Sequence, residues 1–331
     1  MIYFFFGIII TINFILIKYY KKFSKQLNLY DYPSKRKIHK EPTPLLGGSF
    51  FILNILLYFL IGHILNLHDD LLFLQNQDKL FFLFFTFTVY LIGFIDDKIG
   101  LSPNKRLLIL SLVFFLYLLL DHQLIIGELN FFLFDRLITI GSYDYIFTIL
   151  CFLIFINACN MFDGINLQSS IYFIIFLLSF SLMTYFSIFS LFILVFLIFF
   201  SYLNYKGKIF FGDNGIYSIS FVLSYIIIKN YNILNNINVE HILIIMIYPG
   251  LDMLRLVIER ATKKKHPFKG DQRHLHHLIL KSYGYHSAII VITLMLFITN
   301  FLMIVGVNLI IVILLSILIY SSVILYFNYH N

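Results

Sequence analysis

The sequence predicts an all-α polytopic membrane protein with about 10–11 transmembrane helices, and three observations predict it. Of 331 residues, 60% are apolar and only 12% are charged, against about 45–50% and about 25% in a soluble protein. The apolar residues gather in runs close to the roughly 20 residues that a helix needs to cross a bilayer. Lys and Arg fall almost wholly in alternate loops. These figures exclude a soluble enzyme, a disulfide-stapled secreted domain and a disordered chain.

In order, the apolar runs are 1–17, 49–67, 80–95, 107–120, 145–157, 168–184, 186–203, 215–229, 239–257, 287–305 and 308–327. The first, MIYFFFGIIITINFILIKYYKK, has no basic region before it and no small-residue cleavage site, so it reads as a retained helix and not a signal peptide. Several runs are shorter than a full span and draw in polar ends. The last long run divides at Gly306. The segment 121–144 alternates β-branched with polar residues between turn formers, which predicts a short surface hairpin. No internal repeat or linker breaks the chain, and residues 1–331 read as one integral-membrane domain.

Loop 18–48 in the cytoplasm fixes every later loop by alternation, with the N-terminus outside and the C-terminus inside. The cytoplasmic loops 18–48, 96–106, 204–214 and 252–286 then hold eight, three, two and eight Lys or Arg. The opposite side holds only Lys79, Arg136 and Lys229. Acidic residues divide almost evenly, as expected when Lys and Arg alone orient the chain. The net charge of +7 therefore reflects topology and not a nucleic-acid partner. Cys151 and Cys159 give no disulfide framework.

The acids, amides and histidines collect on the expected cytoplasmic side, at helix ends and in short loops. No ionisable residue stands out in mid-span apart from His63, which argues against an ion-coupled transporter. Asp96-Asp97 in GFIDDKIGLSPNKR is a repelling pair that a cation or Lys98, Lys105 and Arg106 could stabilise. An exposed loop tip would explain the pair as well. Asn157, Asn160, Asp163 and Asn166 recur every three residues at the end of an apolar helix. That spacing keeps oxygen donors near one face, suited to a hard cation or a sugar nucleotide, although capping and interhelical hydrogen bonds use the same groups. In FFGDNG, Asp213 opens a helix whose amides attract phosphate, or simply caps it. HPFKGDQRHLHHLIL, after three lysines, sets Arg273, His274, His276 and His277 as a cluster suited to a pyrophosphate. It lacks the pattern of a common zinc site. PSKRKIHKEPTPLLGG, with Pro33, Pro42 and Pro44 ahead of Gly47-Gly48, predicts a fixed turn against a helix or a ligand. Its Lys35, Arg36, Lys37, His39 and Lys40 could meet a lipid phosphate.

In this order and on one membrane face, PxxRKxHxxPxPLxGG, FIDD, NxxNMxDGI, FxGD and DxxHxHH resemble the polyprenyl-phosphate N-acetylhexosamine-1-phosphate transferases, the bacterial MraY/WecA family. The likeness spans residues 33–279, and the histidine motif is closer to the WecA branch. The resemblance implies transfer of an N-acetylhexosamine-1-phosphate from a UDP-sugar to undecaprenyl phosphate, releasing UMP, at the cytoplasmic surface of the bacterial inner membrane. It implies Mg²⁺ as cofactor, with Mn²⁺ as a substitute, held by Asp213 and Asn160. The catalytic residues it implies are Asp96, Asp97, Asp163, His274, His276 and His277. Substrate contacts are expected at Asn157, Asn166, Phe210, Arg273, Lys98, Gly47 and Gly48, with Phe210 stacking on the uracil. A homodimer is expected on the same ground, and the pathway would be the first membrane step of O-antigen, capsule or similar polysaccharide synthesis.

The chain departs from the family pattern in two places. DGIDGL is here DGINLQ, with Asn166 for an acid and Leu167 for a glycine. The small-residue run after the metal-binding Asp is here Gly215-Ile216-Tyr217-Ser218. A catalytically decayed homologue acting as scaffold, and a membrane transporter, are the alternative readings.

Overall fold

The computed structural model of the protein describes residues 1–33, 39–65, 72–73, 76–184, 187–234, 237–264 and 272–330. Lys35, Arg36 and Lys37 of the basic loop, and Lys265 and Asp271 ahead of the histidines, lie outside the described residues.

Every apolar run of the sequence overlaps a helix among the described residues. Among the described residues there are eleven: α1 (Ile2–Leu27), α2 (Gly47–Ile64), α3 (Asn76–Ile99), α4 (Pro103–Leu120), α5 (Asp144–Phe162), α6 (Gln168–Met183), α7 (Ile188–Tyr205), α8 (Gly212–Lys229), α9 (Val239–Thr262), α10 (Leu275–Ile304) and α11 (Leu309–His330). Nine are long and apolar enough to cross a membrane; α6 and α8 are the other two. The protein is thus an all-α multi-pass membrane protein. The division at Gly306 holds, since α10 ends before it and α11 starts after it. The chain forms two compact units, residues 1–125 with 186–229, and residues 126–185 with 230–331.

The first unit is built round α8. Every residue from Asn214 to Lys229 is buried, and α3 and α2 pack along the helix. A helix enclosed on all sides needs no polar face, so Ser218 and Ser224 return their hydroxyls to main-chain carbonyls one turn back, those of Asn214 and Ser220. The contact is made by absent side chains. A Cβ on Gly48 of α2 would lie 2.0 Å from Asn214 Oδ1, and one on Gly93 of α3 would lie 2.5 Å from Asn214 Cα. Only glycine lets those helices touch the α8 backbone. Rings fill the rest, with Phe82 against Tyr225 at 4.7 Å and Phe85 stacked on Tyr117 at 4.3 Å. Such pairs add about 0.5–1.5 kcal/mol each beyond their buried area. At the far end of α8, buried Lys229 pairs with Asp121 at 3.0 Å and donates to Gln123 at 2.6 Å. In the middle of α1, Asn13 Nδ2 donates to Asn54 Oδ1 of α2 at 2.8 Å, and Asn54 returns the bond at 3.3 Å.

The N-terminal loop closes with a two-residue ladder, β1 (Tyr30–Asp31) against β2 (Thr43–Pro44). The chain then runs beside Phe210, whose N–H donates to Pro44 O at 2.9 Å and whose carbonyl accepts from Gly47 N–H at 3.0 Å.

The second unit holds α5, α6, α9, α10 and α11. The expected hairpin is present: β3 (Glu128–Phe131) pairs antiparallel with β4 (Arg136–Thr139), in the register Glu128 to Thr139. Buried Glu240 of α9 anchors it, accepting from the N–H groups of Phe132 and Leu133 at 3.2 and 3.0 Å. α10 is broken at Gly284, whose φ of 80° and ψ of 179° are not helical. A separate first segment therefore carries His276 and His277 ahead of the apolar run.

Candidate functional site

In the first unit the two acidic motifs meet at the N-terminus of α8. Helix N-termini leave four N–H groups without intrahelical partners, and here a carboxylate from another helix takes two of them. Asp97 Oδ1 accepts from Asp213 N–H at 2.8 Å, and Oδ2 accepts from Asn214 N–H at 2.9 Å and from the Asn214 amide. The charge also suits the positive end of the helix dipole. Gly212 enters this turn with a φ of 70°, and a Cβ there would fall 2.7 Å from Asp97 Oδ2. Asp96 is buried. Its Oδ1 accepts from Leu101 N–H at 2.7 Å, and its Oδ2 from Tyr217 OH at 2.8 Å and Arg106 Nη1 at 3.4 Å. Arg106 lies 5.8 Å from the centre of the Tyr217 ring. Tyr217, where the chain departs from the motifs it resembles, is thus a donor to Asp96.

Asp97, Asp96 and Asp213 are brought together with Gly47, Gly48 and Phe210 around one helical turn. Arg106 and Tyr217 hold the acidic pair, whereas Lys98 is exposed, 5.6 Å over the Phe94 ring. Gly47 and Gly48 face protein: a Cβ on Gly47 would lie 2.6 Å from Phe211 Cα. Phe210 is half-buried, with the His39 ring edge-on at 5.2 Å. His39 is itself held by Asp31 at 2.9 Å and the Glu41 carbonyl at 2.8 Å.

A Mg²⁺ ion takes hard oxygen ligands, usually one or two carboxylates, with water and phosphate completing its shell. Asp213, half-buried on the first turn of α8, offers such a ligand. No group of three His, Cys, Asp or Glu suited to a metal forms among the described residues. The Asp213 carboxylate is a hard oxygen donor of the kind that a cation shared with a phosphate would take.

In the second unit α5 ends at Phe162, so the four polar residues do not share one helical face. Asn157 and Asn160 lie in the last turns, Asp163 at the C-cap and Asn166 in the following turn. Asn157 donates to Leu153 O at 2.7 Å, and the carbonyl of Asn166 accepts from Tyr285 OH at 3.2 Å. Asn160 is half-buried. Burial pushes the Asp163 carboxyl up to about 6, against the pull of the Ser169 hydroxyl that donates to it at 2.7 Å. Leu167, where the resembled motif has glycine, adopts a left-handed φ of 69°. Gln168, which follows it, is buried with neither amide atom hydrogen-bonded.

The histidines surround the entry to α10. His274 is the N-cap, His276 stacks on it at 5.4 Å and 12°, and His277 lies 4.3 Å from His276. His276 is 1% exposed, neither ring nitrogen is hydrogen-bonded, and its ring presses on Gly164. Arg273 pairs with Glu259, which also takes Lys263 at 2.6 Å. Arg255, Ile258, Glu259 and Arg273 line a cavity of about 480 Å³. The candidates that sequence reasoning missed are Asp252, Arg255 and Tyr320, which bond to one another at 2.8–2.9 Å, with Asp252 bonded in turn to His274. The signal was present, because Asp252 and Arg255 interrupt the apolar run 239–257.

Residues 79–231 match the model of the family described as glycosyl transferase family 4. Three curated relatives carry the name undecaprenyl-phosphate alpha-N-acetylglucosaminyl 1-phosphate transferase. The protein of Pasteurella multocida strain Pm70 is 29% identical over 293 residues, 81% of this chain and 76% of its own length. That of Escherichia coli strain K12 is 26% identical, and that of Salmonella typhi 24%, each over 83% of this chain and 75% of its own length. The likeness first seen in five motifs is borne out over most of the chain.

Proposed function

We propose that this chain, whose residues 79–231 carry the glycosyl transferase family 4 pattern, transfers GlcNAc-1-phosphate or a related N-acetylhexosamine-1-phosphate from a UDP-sugar to undecaprenyl phosphate, releasing UMP. The observation that carries this reading is the junction of Asp97 with Asp213, which brings motifs 116 residues apart to one helix N-terminus beside Asp96 and Arg106. The names of the relatives support the acceptor and the transferred group.

In the reaction an oxygen of the lipid phosphate bonds to the β-phosphorus of the UDP-sugar. The bond from that phosphorus to the bridging oxygen breaks, and UMP departs with the electron pair. A phosphate monoester has a second pKa of about 6, so the acceptor is largely a dianion near neutrality and needs no strong base. That accords with Asp96 and Asp97 being engaged by Leu101, Tyr217, Arg106, Asp213 and Asn214. Phosphoryl transfer asks mainly for positioning and charge neutralisation. In the first unit Phe210 offers a flat ring for a base. In the second, Arg273, His274 and His277 offer donors for a pyrophosphate, and Asn157 and Asn166 offer amides. In the first unit Asp213 would hold a Mg²⁺ ion, which when bound would supply charge neutralisation. The Lys- and Arg-rich loops face the cytoplasm of a bacterial inner membrane, and the product primes an envelope polysaccharide.

The test is UMP release by the purified, lipid-reconstituted protein, given undecaprenyl phosphate and a panel of UDP-N-acetylhexosamines with Mg²⁺ or EDTA. Release that requires both substrates, stops with EDTA and is lost in Asp213→Asn is the expected result. No release from any donor, while an active relative works alongside, defeats the reading.

A further inference from the structure

Asp252 of α9 is 1% exposed, yet four donors from four residues converge on its carboxylate. Oδ2 accepts from His274 Nδ1 at 2.9 Å. Oδ1 accepts from Arg255 Nη2 at 2.9 Å, Tyr320 OH at 2.9 Å and Leu275 N–H at 3.1 Å. Arg255, Tyr320 and the Leu275 N–H all donate to Oδ1, as suits an ionised carboxylate, which only accepts, so the His274 nitrogen facing Oδ2 carries a proton. Arg255 extends the network, donating through Nη2 to Arg273 O at 2.7 Å and through Nε to Tyr320 OH at 2.8 Å. Asp252 thereby fixes the ring of His274, the first amide of α10 and the contact with α11, while Arg255 holds the main chain at Arg273. A structural ion pair would need only Arg255. The bond to an imidazole on its Nδ1 side has a separate consequence, because it sets which ring nitrogen is left for a ligand.

We propose that Asp252 is a positioning residue for the transfer reaction: it holds His274 with Nδ1 protonated and Nε2 turned to the phosphates of the sugar-nucleotide donor, with Tyr320 and Arg255 holding Asp252 in turn. The proposal rests on the function argued above. At metal sites, removing a partner that orients a ligating side chain costs on the order of 10–100-fold in affinity or activity, and the same scale is taken for a histidine oriented toward phosphate.

The experiment is a double-mutant cycle on reconstituted protein, with UDP-GlcNAc as donor: wild type, Asp252→Asn, His274→Gln and the double variant. Asp252→Asn keeps the shape but cannot accept on both oxygens. Its expected effect is a 10–100-fold fall in kcat/KM in wild type and less than about 3-fold in the His274→Gln background. Equal factors in both backgrounds would mean that Asp252 serves only the packing of α9, α10 and α11, and would overturn the proposal. A second readout needs neither activity nor the Asp252 variant. In ¹⁵N spectra of histidine-labelled wild-type protein, the His274 signal is the one lost in His274→Gln. Its Nδ1 is expected protonated, and an unprotonated Nδ1 would overturn the proposal. Absence of UMP release by wild type would defeat the function and leave the spectrum to judge the Asp252–His274 pair.

Discussion

Gly164→Ala is the sharpest perturbation of the second unit. A Cβ at position 164 would lie 1.8 Å from Nε2, 2.2 Å from Cε1 and 2.5 Å from Cδ2 of His276. Non-bonded heavy atoms sit about 3.5–4.0 Å apart, so the ring or the loop must yield by about 1.5–2 Å. The ring has no room to withdraw, being buried between His274 and His277. Overpacking of this kind costs about 1–3 kcal/mol, and three close atoms on a rigid ring argue for the upper half of that range, about 2–3 kcal/mol. The assay is reversible unfolding in mixed micelles for wild type, Gly164→Ala, His276→Ala and the double variant. With the ring gone, the alanine should cost less than about 0.5 kcal/mol, so the cycle should give a coupling of about 2 kcal/mol. A Gly164→Ala penalty that is small in wild type, or equal in both backgrounds, would refute the close approach of the loop to His276.

Four further outcomes follow from particular contacts. Asp97→Ala deprives α8 of its cap, with a loss of about 1–3 kcal/mol; Asp97→Asn, which keeps one acceptor oxygen, should fall between, and identical melting of all three proteins would contradict the cap. Lys229→Met leaves the Asp121 charge buried and should cost about 3–5 kcal/mol, while adding Asp121→Leu should recover most of it; no recovery would show that the pair is not the cause. Asp163 binds its proton more tightly in the folded protein than the usual carboxyl value of about 3.9, so stability should fall as pH rises from about 4 through about 6 and level off above. Melting temperature against pH reads this, and the same slope in Asp163→Asn would contradict it. Leu167→Gly removes a left-handed strain of about 1–2 kcal/mol against a glycine cost of about 0.5–1 kcal/mol; a small rise in melting temperature is expected, and a clear fall would show that the leucine side chain matters more than its backbone.

Much of this architecture is legible in the chain because lipid imposes simple rules. Apolar runs map onto helices one for one, and the 121–144 hairpin shows in its alternation. The meeting of the FIDD and FxGD motifs is not legible: the α8 amides read as a phosphate site or as capped by Asp213, whereas Asp97 takes them. What the sequence hides is how carboxylates are occupied. Asp96 and Asp97 read as a repelling pair for a cation or for Lys98, Lys105 and Arg106, and Arg106 does reach Asp96; that Tyr217 and the α8 amides reach the pair depends on glycines that set helix separation, and glycine leaves no periodic signature. Asn157 to Asn166 read as one helical face because the spacing is regular; the helix ends at Phe162 instead, and the chain turns. Asp252 does leave a signal, an acid interrupting an apolar run, but so near the end of that run it reads as the start of a loop. Its partner Tyr320 lies 68 residues away, in a helix with no motif at all.

The division of the chain into interleaved units bears on how it is made. The sequence passes from one unit to the other three times, at about residues 125, 185 and 229. Synthesis proceeds from the N-terminus, so α2 and α3 leave the ribosome with the groove between them empty until α8 is delivered over a hundred residues later. Likewise α5 and α6 must wait in the bilayer for α9 to α11. Neither half can finish early, and α8, too polar to rank among the nine helices able to cross a membrane by themselves, enters a slot already prepared by its neighbours. A nascent chain halted before residue 212 would therefore present the Gly48 and Gly93 faces unfilled.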